Sequence, residues 1–238
     1  MKANRVFREG VEIYLMDGQA FVAYFYLLMI LGPLEFLVLF LPSLDPQIWV
    51  GPANLFKVSS VAAMILILYF GSKIINQEYV PWRFYALKRW IHQEGLGIAE
   101  IALGQLSLLC LYMFSLLLLS SPLLIWAGAI SRAPVVTILT TLSLLSFYSL
   151  AYGVWALVAL SVWELRTESR QIFVRFFLLV LVFLTALIYL PLNPVAFLLS
   201  YLERKDLSLS AHFLFHFLLL GSGLALYFGT LKRKERNP

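Results

Sequence analysis

The chain has 238 residues, of which 61% are hydrophobic and only 13% charged, with a net charge of +5. A soluble domain carries about a quarter charged residues, so this chain has too few polar side chains to cover a water-soluble globule. Long Leu-rich runs with few charges predict helices that span a membrane, and the alternating polarity of barrel strands is not seen. The sequence predicts an all-α membrane protein with a single transmembrane domain over residues 1–238.

Residues 1–19 mix charged and apolar side chains, which is typical of an amphipathic helix lying in the membrane interface. A frayed, charged terminus is the alternative. The first predicted span follows at about residues 20–41, and Pro33 should bend it. Glu35 is the one acidic residue well inside this apolar run. A charge at that depth is costly, so Glu35 is a candidate for a substrate path, unless its side chain reaches the outer interface or is protonated.

The second predicted span covers about residues 58–75, and a basic segment follows it. Pro81 is suited to begin a helix, because the N–H that proline lacks is not needed at that position, and Gly95 should end the helix. Residues 82–92 have helical spacing, with an apolar side and a polar side. The apolar side comprises Phe84, Leu87 and Ile91. Two interpretations stay open: a basic loop that only sets orientation, or a short helix that docks a soluble partner.

Four further spans are predicted, at about residues 98–119, 135–162, 172–190 and 209–231. Pro122 should end or kink the third span, which residues 123–129 could continue. A charged hinge at residues 164–175 separates the fourth span from the fifth. After the fifth span, Pro191 and Pro194 precede an apolar piece that is too short to cross a bilayer by itself.

The candidate metal ligands are few. His212 and His216 lie four residues apart and could share a helix face, but two ligands alone make a poor metal site. Both are expected to be interfacial or pore-side polar residues near the outer end of the sixth span. Cys110 is the only cysteine, so no intrachain disulfide can form, and a lone thiol in an apolar run indicates packing. No metal site and no catalytic residues are predicted.

The distribution of basic residues tests the number of spans. Six spans put both termini and the loops at residues 76–97 and 163–171 on one side of the membrane. Counted with the adjoining span ends at Lys73 and Arg175, that side holds fourteen of the eighteen Lys and Arg residues, and the other side holds only Lys57, Arg132, Arg204 and Lys205. The positive-inside rule therefore predicts that both termini are cytoplasmic.

Several segments resemble the type-2 ABC exporter permeases. Glu78 opens the segment between the second and third spans, and residues 97–106, GIAEIALGQL, close it with a pattern similar to that family's. Gln105 stands where the family often has Lys, and the family's Pro before the third span is missing. Residues 153–170 are similar to the end of the family's fourth span. Residues 190–198, LPLNPVAFL, are similar to its Pro-containing element after the fifth span.

The resemblance implies a membrane-spanning subunit of an ATP-driven exporter in the bacterial inner membrane. It implies an N-terminal elbow helix, a cytoplasmic coupling helix between spans two and three, and a short re-entrant element between spans five and six. The expected partners are ABC ATPase subunits and a second permease, either a copy of this chain or a relative. ATP and magnesium would bind the partner ATPase, and this chain would hold no cofactor. The residues expected to couple to the ATPase are Glu78, Trp82, Phe84, Leu87, Lys88 and Ile91.

Two other functions stay open. The chain lacks the G-x-x-x-x-G-K-[ST] motif, so it does not itself cradle nucleotide phosphates, and its basic charge indicates membrane topology rather than nucleic-acid binding. An integral-membrane enzyme acting on lipids would need a cluster of polar residues at one interface, which the sequence does not offer. A non-catalytic membrane scaffold is the second alternative.

Overall fold

The computed structural model describes residues 4–16, 21–40, 51–76, 87, 89–206 and 208–236. Within these residues all regular secondary structure is helical. Six helices are long and apolar enough to cross a membrane, as the sequence predicts. They are α2 (Phe21–Phe40), α3 (Leu55–Ile75), α4 (Ile98–Ile130), α5 (Val135–Val162), α6 (Thr167–Ile188) and α8 (Leu209–Arg236).

Shorter helices occupy the connections. The chain begins with α1 (Arg5–Val11), which continues as a π-helical turn at Glu12–Met16, and α7 (Pro194–Leu202) lies between α6 and α8. Short 3-10 turns at Pro52–Asn54 and Leu190–Leu192 precede α3 and α7, and a π-helical turn at Arg89–Gln93 precedes α4. The α1 and α7 helices occupy the places of the expected elbow and re-entrant elements. Their positions relative to a bilayer stay predictions.

The α4 helix runs without interruption through Pro122 to Ile130, over 33 residues. Proline leaves the carbonyl four residues earlier without its usual N–H donor. Here that carbonyl belongs to Leu118, and the Ser121 hydroxyl donates to it at 2.8 Å. The neighbouring Ser120 hydroxyl donates to Leu117 O in the same way. The Ser121 hydroxyl thus replaces the missing backbone donor, which explains why the helix continues where the sequence predicts an end or a kink.

The α5 helix forms the centre of the bundle. Its most apolar stretch is 72% buried, against 11% for α6 and 17% for α8. Small residues allow the neighbouring helices to approach it closely. A Cβ atom at Gly153 would lie only 2.6 Å from a methyl carbon of Leu109 on α4. The exposed apolar faces of α2, α6 and α8 are then left for lipid or for another chain.

Polar contacts collect at the two ends of the bundle. One end brings together α1, residues 89–100, the α5–α6 turn and the last turn of α8, through the ion pairs Arg5–Glu94 and Glu164–Lys234. We call it the basic end. At the opposite end, Lys57 in the first turn of α3 pairs with Glu203, which follows α7, at 3.2 Å. Residues that the sequence assigns to one side of the membrane therefore meet at one end of the structure.

Candidate functional site

The apolar side of the segment at residues 87–97 packs against the chain's own helices. Leu87 is 1% exposed and Trp90 is 4% exposed, and both belong to the main hydrophobic core, against which Ile91 also packs. Of the predicted apolar side, Leu87 and Ile91 pack on the core, whereas Phe84 lies outside the described residues. Leu87 is therefore an anchor that holds the segment on the bundle, and its own side chain is not free to fill a groove on another protein. The other expected coupling residues, Glu78, Trp82, Phe84 and Lys88, lie outside the described residues.

The described part of the segment ends in a wide turn. Where the sequence predicts an α-helix up to His92, Arg89–Gln93 is a π-helical turn, and the N–H of Glu94 donates to Arg89 O at 3.0 Å. Gly95 follows with φ +65°, a conformation that glycine adopts without strain. This lets the N–H of Leu96 reach back to Trp90 O at 2.9 Å. The predicted break at Gly95 thus has a clear geometric cause.

Helix α1 holds the segment from one side. The Arg5 guanidinium lies 3.2 Å from Glu94 and 3.1 Å from Glu9, and the Trp90 indole N–H points to Glu9 at 3.4 Å. Helix α1 is itself fixed on α4, because the Asn4 amide donates to Glu100 O at 2.7 Å. The segment is therefore part of a connected layer rather than an isolated loop.

The helices also approach closely where α1 crosses α4. A Cβ atom at Gly104 would lie 2.7 Å from Cβ of Val6, so no larger residue fits there without displacing α1. The Tyr112 hydroxyl donates to Gly10 O at 3.2 Å about two turns further along α4. Helix α1 thus packs against the first turns of α4.

Helix α8 and the α5–α6 turn hold the segment from the other side. His92 Nε2 lies 3.1 Å from Lys234 O, and Lys234 Nζ pairs with Glu164. The Arg170 guanidinium, itself 2% exposed, donates to Glu164 O at 3.1 Å. The start of α6, the end of α8 and the 87–97 segment are therefore linked through Glu164 and Lys234.

Three exposed residues flank this link, and we call them the exposed cluster: His92, Gln93 and Leu165. Leu165 is 81% exposed and lies at the end of the bundle rather than on its apolar sides. Sequence reasoning missed it, because a single leucine within the charged run ELRTESR gives no periodic signal. The only sign in the sequence that Leu165 could be exposed is that it stands alone among charged residues.

Glu35 is enclosed by protein. It is 1% exposed, and neither carboxyl oxygen has a hydrogen-bond partner among the described residues. The Ser59 hydroxyl of α3 faces the carboxyl group without reaching hydrogen-bond geometry. The side chain does not extend to the protein surface, so the alternative of an acid reaching the outer interface is wrong. The Ser59 hydroxyl also lacks a hydrogen-bond partner among the described residues. Buried polar groups usually have such a partner, so this arrangement keeps Glu35 as a functional candidate.

His212 and His216 are both fully buried, so the expectation of interfacial or pore-side residues is wrong. Each ring uses both nitrogens. His212 Nδ1 lies 2.8 Å from Pro191 O and its Nε2 lies 2.7 Å from the Tyr148 hydroxyl. A carbonyl oxygen only accepts, so Nδ1 donates and Nε2 of the neutral ring accepts from the tyrosine. These histidines join helices, and no group of three or more potential metal ligands occurs among the residues described.

No protein-family model matches the chain, and no significant similarity was found to a curated protein or to a solved structure.

Proposed function

We propose that this chain is the membrane-spanning subunit of an ATP-driven exporter of the type-2 ABC class. It would form the translocation path with a second permease subunit and couple to separate ATPase subunits. The proposal assumes insertion into a bacterial inner membrane with both termini cytoplasmic. The support is the resemblance of the loop and Pro-containing segments, together with fourteen of eighteen basic residues on one side of the predicted membrane.

The observation that carries the proposal is the layer at the basic end. There, the 87–97 segment is tied to α1 through Arg5–Glu94 and to α8 through the His92–Lys234 contact. A loop that only set orientation would need basic charge and no fixed position. A segment that passes motion from a soluble ATPase to membrane helices must be firmly attached to those helices. The ties to α1, α4 and α8 give it such an attachment.

In this proposal the contact with the ATPase is made by the exposed cluster. Leu87 is used within the chain, whereas Leu165 is available to a partner. A few buried side chains usually dominate such an interface, and an exposed leucine rimmed by charged residues fits that pattern. In this proposal Leu87, Trp90 and Ile91 anchor the segment, and Leu165, His92 and Gln93 meet the ATPase.

The decisive experiment is purification of the full-length tagged chain from the membranes of its own source cells in mild detergent. We expect a P-loop ATPase in stoichiometric amount, identified by its peptides, and magnesium-dependent ATP hydrolysis in the eluate. Leu165→Asp should remove the ATPase while leaving the chain folded. Leu209→Asp is the matched control, because Leu209 is also exposed but begins α8 at the opposite end.

Two results would contradict the proposal. Purification without any P-loop ATPase would favour the lipid enzyme or the scaffold. If the Leu165→Asp variant still copurified with the ATPase in stoichiometric amount, Leu165 would not be part of the interface, and the contact would be assigned to residues 77–86.

A further inference from the structure

A basic hollow lies on the last turns of α8, at the basic end of the bundle. Its cavity volume is about 210 Å³, and it is lined by Gly229, Lys232, Arg233 and Arg236. The three cations lie three, four and seven residues after the glycine, so all four residues share one face of the helix. Each cation is exposed, and none has an ion pair or hydrogen bond within the part of the chain that the structure describes. We call this site the α8 hollow.

The α8 hollow is positively charged and has no carboxylate in its described lining. Lys234 does not line it, because its Nζ pairs with Glu164 on another side of the helix. Glu235 is exposed and does not line it either. Lys232 and Arg236 are four residues apart, a spacing at which like charges destabilise a helix. A bound anion would relieve this repulsion.

The length of α8 places the hollow at the level of lipid headgroups. From Leu209 to Leu231 the helix carries no Asp, Glu, Lys or Arg. At a rise of 1.5 Å per residue, this uncharged stretch covers about 34 Å. The hydrocarbon core of a bilayer is about 30 Å thick, so the cations that begin at Lys232 lie where the headgroups begin.

The hollow continues into an exposed apolar surface on the same helix. Leu214 and Leu218 are 62% and 63% exposed. Five helical turns of 3.6 residues separate Leu214 from Lys232 and likewise separate Leu218 from Arg236, so each leucine is directly in line with one of the cations. A molecule that follows this face therefore meets apolar side chains first and then a cluster of unpaired positive charges.

We propose that the α8 hollow binds the headgroup of an anionic phospholipid whose acyl chains lie along the exposed face of α8. The phosphate lies among Lys232, Arg233 and Arg236, where a guanidinium can donate to two phosphate oxygens at once. Basic clusters immediately beyond a transmembrane helix recognise anionic lipids in this way. A second copy of the chain packed on the same face would bring like charges together, which is costly. This inference does not depend on an ATPase partner.

The test is native mass spectrometry of the delipidated full-length chain, titrated with dioleoylphosphatidylglycerol or with dioleoylphosphatidylcholine. Each basic side chain near a headgroup should favour the anionic lipid roughly fivefold. Arg233→Gln should therefore weaken phosphatidylglycerol binding about fivefold, and replacing all three cations of the hollow by Gln should weaken it about a hundredfold. Lys234→Gln is the matched control, because it removes one positive charge from the same turn but outside the hollow.

A second pair of variants tests the space in the hollow without touching its charges. A Cβ atom at Gly229 or at Gly221 would have no neighbour within 4 Å, so both positions accept a large side chain. Gly229→Trp should fill the hollow and abolish the preference for phosphatidylglycerol over phosphatidylcholine. Gly221→Trp, about 12 Å earlier along α8, should keep that preference. Thermal unfolding shows that every variant remains folded.

Three results would overturn the proposal. Equal affinity for the two lipids in the unaltered chain would show that the cations do not select a headgroup. Equal weakening by Lys234→Gln and Arg233→Gln would indicate diffuse attraction rather than binding in the hollow. Binding of glycerol 3-phosphate as tight as that of phosphatidylglycerol would assign the hollow to a soluble phosphate instead of a lipid.

Discussion

The Tyr148 hydroxyl on α5 lies 2.7 Å from Nε2 of His212 on α8. One turn further along, Tyr152 repeats the contact with His216 at 3.1 Å, again between residues 64 apart in the sequence. The Trp155 indole then donates to Leu219 O at 3.1 Å. The two helices run parallel, and this ladder of polar contacts fixes their register within an otherwise apolar bundle. Hydrogen bonds between helices are a main source of specific association in membranes.

The ladder predicts that Tyr148→Phe destabilises the chain. The substitution keeps the ring but removes the donor to His212 Nε2, leaving a buried acceptor unsatisfied. We expect a loss of about 1–2 kcal/mol in the free energy of unfolding. Thermal unfolding in detergent, followed by tryptophan fluorescence, measures it. Tyr189→Phe is the control, because Tyr189 is 50% exposed. Equal unfolding temperatures for the two variants would mean that the Tyr148 contact adds no stability.

Leu87→Asp and Leu165→Asp should separate anchoring from partner contact. Leu87 is enclosed in the core, so a carboxylate there should cost several kcal/mol and reduce the yield of folded chain. Leu165 is exposed, so the same change should leave the unfolding temperature within error and remove the ATPase. Fluorescence-detected gel filtration and copurification give the two readouts. A stable Leu87→Asp chain would show that the segment is not held by this side chain.

Glu35→Gln should impair coupled activity while the chain stays folded. The amide keeps the shape of the carboxyl group beside Ser59 but removes its ability to carry charge or a transferable proton. We expect lower ATP hydrolysis by the complex reconstituted in nanodiscs. Thr141→Val is the control, because Thr141 is also buried and its hydroxyl has no partner among the described residues. Full activity of Glu35→Gln would leave Glu35 with a packing role only.

The topology can be tested with single cysteines in a Cys110→Ser background. Asp206 and Glu168 are both exposed and lie at opposite ends of the bundle. A cysteine at Asp206 should react with an impermeant thiol reagent added to intact cells. A cysteine at Glu168 should react only after the membrane is permeabilised, as the charge distribution requires. Labelling of the Glu168 site from outside would invert the orientation, and labelling of both from outside would refute six spans.

The contacts of Glu203 should make stability depend on pH. Hydrogen bonds from Lys205 and then from Lys57 lower the pKa of its carboxyl group below the usual value. The ionised form is therefore favoured in the folded state. Its stabilising effect is complete above about pH 4.3, the pKa of an unfolded Glu, and is lost as the pH falls through the lowered pKa.

We accordingly expect the chain to unfold at a higher temperature than Glu203→Gln at pH 7, with the difference disappearing near the lowered pKa. Asp206→Asn, at a neighbouring exposed acid, controls for the loss of one negative charge. A difference that persists unchanged into the acid range would show that the Glu203 carboxylate is not its source.

The sequence predicts the membrane class because apolar length is a local property that needs no knowledge of neighbours. It also places Leu87 and Ile91 together on the apolar side of the 82–92 segment, and both pack on the core. What that face packs against depends on the tertiary structure, so residue spacing alone could not predict that Leu87 is buried within its own chain. The same holds for His212 and His216, since their tyrosine partners lie on another helix.

The course of α4 shows a different limit. Pro122 predicts an interruption by itself, and only the hydrogen bond from Ser121 to Leu118 O explains why the helix continues. Leu165 was equally hidden, because exposure of a single residue leaves no pattern along the chain. The exposed cluster of His92, Gln93 and Leu165 therefore follows only from the structure, whereas the sequence already singles out the segment that carries His92 and Gln93.

The polar ladder between α5 and α8 also limits how the bundle can change shape. Sliding one helix past the other would break the tyrosine–histidine contacts together with the Ser161–Thr230 contact and the Glu164–Lys234 ion pair. The two helices have 28 residues each and should therefore move as one rigid body about 40 Å long, at 1.5 Å for each residue. A displacement of the turn at Glu164 would reach Tyr148 undiminished, and α2 and α6, which are held mainly by apolar contacts, would have to accommodate it.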